Sequence, residues 1–117
     1  MTYCTNADVA IRLGLDAAQR TRADSRITRA VSRATININQ EFRDYGRSAP
    51  TGATGVMAGV LKEICAALAA SLYLEDDAMF HTSGGDPVRS NVLRMRATAE
   101  LTRLAHLGTV SGDVIHA

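Results

Sequence analysis

Residues 56–80 constrain this chain more than any other stretch. Met57, Val60, Leu61, Ile64, Cys65, Leu68 and Leu72 recur at spacings of three and four, so they share one face of a helix. Ala66, Ala67, Ala69 and Ala70 cover much of the remaining circumference. A helix that is apolar nearly all round must be central in its fold or packed on two sides. Its small Ala, Ser and Gly positions also let neighbouring helices approach closely. The longest apolar run without a charge is residues 64–74, well short of the ~20 residues a membrane span requires. The expectation is therefore a buried core helix and no membrane.

The rest of the chain has to supply the cover. At 117 residues there is room for one domain, and 46% hydrophobic with 21% charged residues is ordinary for a globular chain. A helix over residues 6–13 is predicted by Thr5 or Asn6 as cap, Asp8 in the first turn and Gly14 as the left-handed terminator. Residues 16–21 read as a polar linker. A second helix is predicted over residues 23–42, with Asp24 or Ser25 as its cap. Ile27, Ala30, Val31, Ala34, Ile38, Phe42 and Tyr45 form its core face.

Residues 46–55, with three Gly and a Pro, read as a flexible loop. Asp86 followed by Pro87 opens a fourth helix that runs to residue 107 and stops at Gly108. That helix has two apolar stripes, Leu93, Ala97, Leu101 and Leu104 on one side and Val88, Val92, Met95 and Ala99 nearly opposite. Residues 109–117 read as an extended arm. The predicted class is all-α, a single-domain four-helix bundle-like fold with a loop between helices 2 and 3 and a C-terminal tail.

No catalytic signature is present: no P-loop, no nucleophile elbow, no paired metal-ligand spacing. His81, His106 and His116 fall in a turn, a helix end and a tail, which makes no shared metal site. Cys65 sits within the core stripe, and Cys4 has no partner visible in sequence. Two such distant cysteines give no disulfide framework, which suits a reducing cytosol. No enzyme activity, cofactor or metal is expected. The N-terminal residues lack a basic region followed by a long apolar one, so no signal peptide is expected.

The polar features point instead to contacts. Twelve of the 13 basic residues are Arg, against 12 acidic residues, so the net charge of +1 creates no global field toward nucleic acid. At about 100° per residue, Arg22, Arg26, Arg29 and Arg33 fall within roughly 60° of one another, with Ile36 beside them and away from the core face. Glu75, Asp76 and Asp77 form the densest acidic cluster, which lacks the spacing of a calcium loop. A solvated face is the ordinary fate of such charges. The surplus apolar stripe on the fourth helix argues further, for a subunit that meets copies of itself or a stable partner.

Residues 6–20 have the outline of a helix-turn-helix. Its second helix would need apolar residues near positions 20 and 23, where this chain has Arg20 and the small Ala23. A small DNA-binding regulator therefore stands as the alternative.

The layout also resembles a known family. Tyr3, Thr5, Asp8 and Val9 give Y-x-T-x-x-D-V at the first helix, and Phe42, Tyr45 and Gly46 give F-x-x-Y-G at the end of the second. Residues 61–74 read L-K-x-I-x-x-A-L-A-x-x-L-Y-L, and residues 99–108 read A-x-L-x-x-L-A-x-L-G. This order of helices and sparse positions is similar to the small helical head–tail connector (head-completion or adaptor) proteins of tailed bacteriophages, with more Arg on the second helix and a short tail. The resemblance implies a virion structural protein of the neck, present in the host cytoplasm during assembly. It implies a ring, of twelve copies, beneath the portal protein, extending the channel toward a downstream neck, stopper or tail protein. DNA would pass through the lumen without sequence-specific binding. On this reading the interface draws on Arg22, Arg26, Arg29, Arg33 and Ile36, on Glu75, Asp76 and Asp77 facing that row from a neighbour, and on Val110, Val114 and Ile115 of the tail. Residues 46–55 and 109–117 would be mobile in the free subunit and fixed in the assembly.

Overall fold

A computed structural model describes residues 2–80 and 87–107, without the side chains of 76–80 and 87–90. It has four helices in chain order: α1 (Asn6–Leu13), α2 (Ala17–Asp44), α3 (Gly55–Phe80) and α4 (Pro87–Leu107). There is no strand among the described residues, so the fold is all-α. Helix α3 packs against each of the other three, while α2 meets α4 only slightly. It is the hub, as its apolar circumference demands. Residues 65–72 are buried in an unbroken run, including Ala66, Ala67, Ala69, Ala70 and Ser71. The one polar side chain in that run, Ser71, donates its hydroxyl to the Leu68 carbonyl at 2.7 Å. By length and apolarity alone Gly55–Glu75 could cross a membrane, contrary to the expectation from its charge-free run. Yet 61% of that window is buried inside this fold.

Helix α1 has the predicted bounds. Thr5 and Asp8 form a reciprocal capping box, the Thr5 side chain accepting from the Asp8 amide and the Asp8 side chain from the Thr5 amide. Gly14, at φ 73°, takes the left-handed position that only glycine occupies without strain. Its N–H reaches the Ile11 carbonyl at 3.1 Å and the Leu15 N–H reaches Ala10 at 3.0 Å, a Schellman motif. Leu15 then packs on the core. Asn6 ties the start of α1 to α2, its side-chain amide donating to Asp24 Oδ1 at 3.0 Å and to Thr28 Oγ1 at 2.8 Å.

Helix α2 corrects the sequence expectation. Residues 17–22 are its first turns and not a linker, and Asp24 lies inside the helix instead of capping it. The cap is Asp16, whose carboxylate accepts from the Gln19 amide at 2.8 Å while the Asp16 amide donates to Gln19 Oε1 at 3.0 Å. These turns are exposed on every side, so they carry no apolar periodicity, and a capping box starts them instead. The core face is as predicted: Ile27, Ala30, Val31, Ala34, Ile38 and Phe42 are buried. Tyr45, placed on that face by its spacing, is instead the C-cap and 43% exposed.

The loop after α2 is anchored at its start. Gly46, at φ 72°, closes a second Schellman motif, with the Arg47 N–H on the Phe42 carbonyl at 2.9 Å. The Arg47 side chain donates to the carbonyls of Ala105 at 2.8 Å and His106 at 2.9 Å, which are orphan acceptors at the end of α4. Tyr45 meets His106 edge-on, ring centroids 5.6 Å apart, and Thr102 donates to Glu41 at 3.1 Å. One end of the bundle is thereby clasped.

Ion pairs fix α1 on α3. Lys62 Nζ lies 3.6 Å from Asp8 Oδ1, and Arg12 pairs with Glu63. Partial burial works to raise the Asp8 pKa, but the Thr5 amide and hydroxyl, with Lys62, outweigh it and hold the carboxyl below its usual range.

Two outcomes follow. Asp16→Ala lowers stability by about 1 kcal/mol in denaturant unfolding, with faster amide exchange confined to the first turns of α2. Because Asp8 is depressed in the folded chain, its contribution is present above the unfolded pKa of ~3.9 and disappears as pH falls through the folded value. The stability gap between the native chain and Asp8→Asn should therefore be open at neutral pH and close in acid.

Candidate interaction surface

The four arginines predicted to share a face of α2 do so, but they differ in what they touch. Arg22, Arg29 and Arg33 are exposed. Arg26 is half-buried, its guanidinium lying over the Tyr73 ring of α3 with 4.5 Å to the centroid. That cation–π contact makes Arg26 part of the α2–α3 joint as well as of the surface row. A shallow depression of about 230 Å³ opens beside it, lined by Leu15, Gln19, Arg22, Ala23, Arg26 and Tyr73. Ile36 stands next to the row and is 63% exposed, so the row has an apolar flank.

Of the acidic cluster, only the Glu75 side chain lies among the described residues. Glu75 pairs with Arg94 of α4 within the same chain. The side chains of Asp76 and Asp77 lie outside the described residues, as do Val110, Val114 and Ile115 of the tail. The expected counterpart of the Arg row is thus engaged at its first member, because α3 and α4 run side by side and bring positions 75 and 94 together.

Helix α4 keeps its two stripes apart. Ala97, Leu101 and Leu104 are buried and Leu93 is half-buried on the core side. On the other side Val92 is 47% and Met95 71% exposed, and Ala99 is exposed too. Exposed Val56 and half-buried Val60 on α3 and Leu93 and Ala97 on α4 line a groove of about 600 Å³, to which Arg96 and Glu100 bring opposite charges. An apolar floor with charged borders has the composition of a protein contact. Among the described residues no cluster of three His, Cys, Asp or Glu could hold a metal ion.

The turn between α1 and α2 is shorter than the sequence indicated. Since α2 starts at Ala17, only residues 14–16 separate the two helices. The missed signal was the Asp16–Gln19 spacing. Of the two positions where a helix-turn-helix needs apolar residues, Arg20 is exposed and only the small Ala23 is buried.

Comparison with protein-family models, with curated proteins and with solved structures finds no match to this chain.

The division within the Arg row has a direct consequence. Arg26→Ala should cost about 1 kcal/mol in thermal or denaturant unfolding, through lost packing and the cation–π contact, whereas Arg29→Ala should change stability by less than ~0.5 kcal/mol.

Proposed function

We propose that this chain is a structural adaptor subunit, one member of a ring that joins the head of a tailed bacteriophage to its tail machinery. The observation that carries this reading is the outward apolar stripe of α4. A helix already anchored by one stripe exposes Val92, Met95 and Ala99 on its other side. Surface of that kind is covered in an assembly. A ring contact is heterologous, so one side of each subunit meets a different side of the next. Two unlike surfaces are available for it: the Arg face of α2 with Ile36, and the α3–α4 groove with the outer side of α4. Further support comes from the resemblance in helix order and in sparse positions along most of the chain. The partners are then other copies of the chain in a twelve-membered ring, the portal protein above and a stopper or tail protein below. DNA passes through the lumen. The role involves no chemistry, and its place is the virion neck.

The Arg row sets register and orientation more than affinity, since exposed charge pairs contribute about 0–1 kcal/mol each. Its partner on this reading is acidic surface other than Glu75, which Arg94 already neutralises.

One observation favours a second reading. The three-residue turn between α1 and α2, containing Gly14, has the length found in helix-turn-helix units, and α2 presents an Arg-rich face. A small DNA-binding regulator would use that face on phosphates and bases.

The Arg22→Glu, Arg29→Glu double variant tests the two together and leaves Arg26 on Tyr73. The adaptor reading expects a folded subunit with normal helicity that no longer completes DNA-filled heads, and native protein with no nanomolar duplex binding at ~150 mM salt. Heads that complete normally with the variant would overturn it. Nanomolar, sequence-selective binding that the variant abolishes would establish the regulator.

A further inference from the structure

Cys4 and Cys65 are separated by 61 positions in sequence, yet their sulfur atoms lie 2.9 Å apart, both as free thiols. The contact is enforced from both sides. Cys65 sits in the middle of α3 on the face that receives α1 and α2. Cys4 immediately precedes the capping box of α1, which is itself fixed to α3 through Asp8–Lys62 and Arg12–Glu63. The segment is further held by the Tyr3 hydroxyl, which donates to Asn39 of α2. Sulfurs without a covalent bond rarely come so near, and a covalent S–S bond of ~2.0 Å needs only about 0.9 Å more.

We propose that Cys4 and Cys65 are a modification site, a thiol pair that closes to an intramolecular disulfide under peroxide and reopens under a dithiol reductant. The inference is a property of the subunit and does not depend on the adaptor reading. Cys65 is the nucleophile. The Cys4 S–H donates to it, and although burial opposes ionisation, the Thr35 hydroxyl at 4.0 Å and the amides of Tyr3 and Cys4 add to that donation and leave its pKa lowered. Cys4 is pushed the other way, first by the hydrogen bond it gives to Cys65 and then by burial, so it stays protonated.

The electrons balance in two steps. The Cys65 thiolate attacks one peroxide oxygen, the O–O bond breaks, and the leaving hydroxide takes a proton to become water, which leaves Cys65 as a sulfenic acid. Cys4 then attacks the Cys65 sulfur as its proton is transferred. The S–O bond breaks, the S–S bond forms and a second water departs. Two thiols lose two electrons and one peroxide becomes two waters. Cys4 is 4% and Cys65 0% exposed, which selects a small oxidant over a protein disulfide. Closure would staple the N-terminal segment to the central helix, and the long loop it closes makes the gain in stability large.

The test uses the purified full chain, reduced and then exposed to hydrogen peroxide, with remaining thiols alkylated after denaturation. The expected product is a monomer lighter by two hydrogens, without alkyl adducts. Its peptide map should join Cys4 to Cys65, and its thermal midpoint should rise by about 10 °C and fall back with dithiothreitol. Cys4→Ser and Cys4→Ala, at the edge of the fold, should each give no intramolecular cross-link and no dithiothreitol-reversible rise, because Cys65 then has no thiol to close on. Two alkylated thiols after peroxide would overturn the proposal. So would a sulfinic acid at Cys65 without a cross-link, or disulfides that join only separate chains.

Discussion

The fold depends on one constraint: α3 has no side that tolerates water along its middle. Residues 65–72 are all buried, so at that level the helix needs neighbours in every direction, and α1, α2 and α4 are arranged around it to provide them. The alanines make this possible in a chain of 117 residues. With side chains no larger than Ala at 66, 67, 69 and 70, backbones come close and few large residues are needed to fill the space. Phe42, Ile27, Ile38, Leu61 and Ile64 are the largest of the fully buried side chains. Larger side chains at those alanines would separate the helices, since a packed interior absorbs added volume poorly. The same crowding sets the sulfur atoms of Cys4 and Cys65 against each other.

Polar groups divide between holding the bundle and facing outward. Arg12 and Lys62 join α1 to α3, Arg94 joins α4 to α3 through Glu75, Arg47 closes the end of α4, and Arg26 lies on Tyr73. These contacts are individually modest, and they fix orientation in a core whose apolar faces alone would allow helices to slide. Arg22 and Arg29 then remain on the outside of α2, near Ile36, while Val92 and Met95 remain on the outside of α4. Both outward surfaces combine features a solitary small domain has little use for. The adaptor proposal rests on that surplus.

Much of the fold was legible because the chain punctuates itself. Gly14, Thr5 or Asn6 with Asp8 in the first turn, and Pro87 marked helix ends, and spacings of three and four placed Ile27 to Phe42 and the two stripes of α4. The start of α2 was not found by periodicity, because residues 17–22 are exposed all round and have no stripe to detect. Asp16 and Gln19, three apart, were the readable sign. Contacts between distant positions were beyond the reach of spacing. Nothing in the sequence brings Cys4 to Cys65, Glu75 to Arg94 or Arg26 onto Tyr73, since each depends on how two helices cross. The candidate surface was therefore legible as a row of arginines, while the distinction between Arg26 and its neighbours, and the engagement of Glu75, required the packed chain.

Native-state hydrogen exchange along α3 tests the account most directly. If α3 is the hub on which every other helix depends, its amides from residues 61–72 should exchange only through global unfolding, with a protection free energy equal to the stability measured by denaturant. The ends of α2 and α4 should open at lower cost. Exchange of those α3 amides through a partial opening, while α1, α2 and α4 stay protected, would show that the bundle holds together without its centre and would contradict the account.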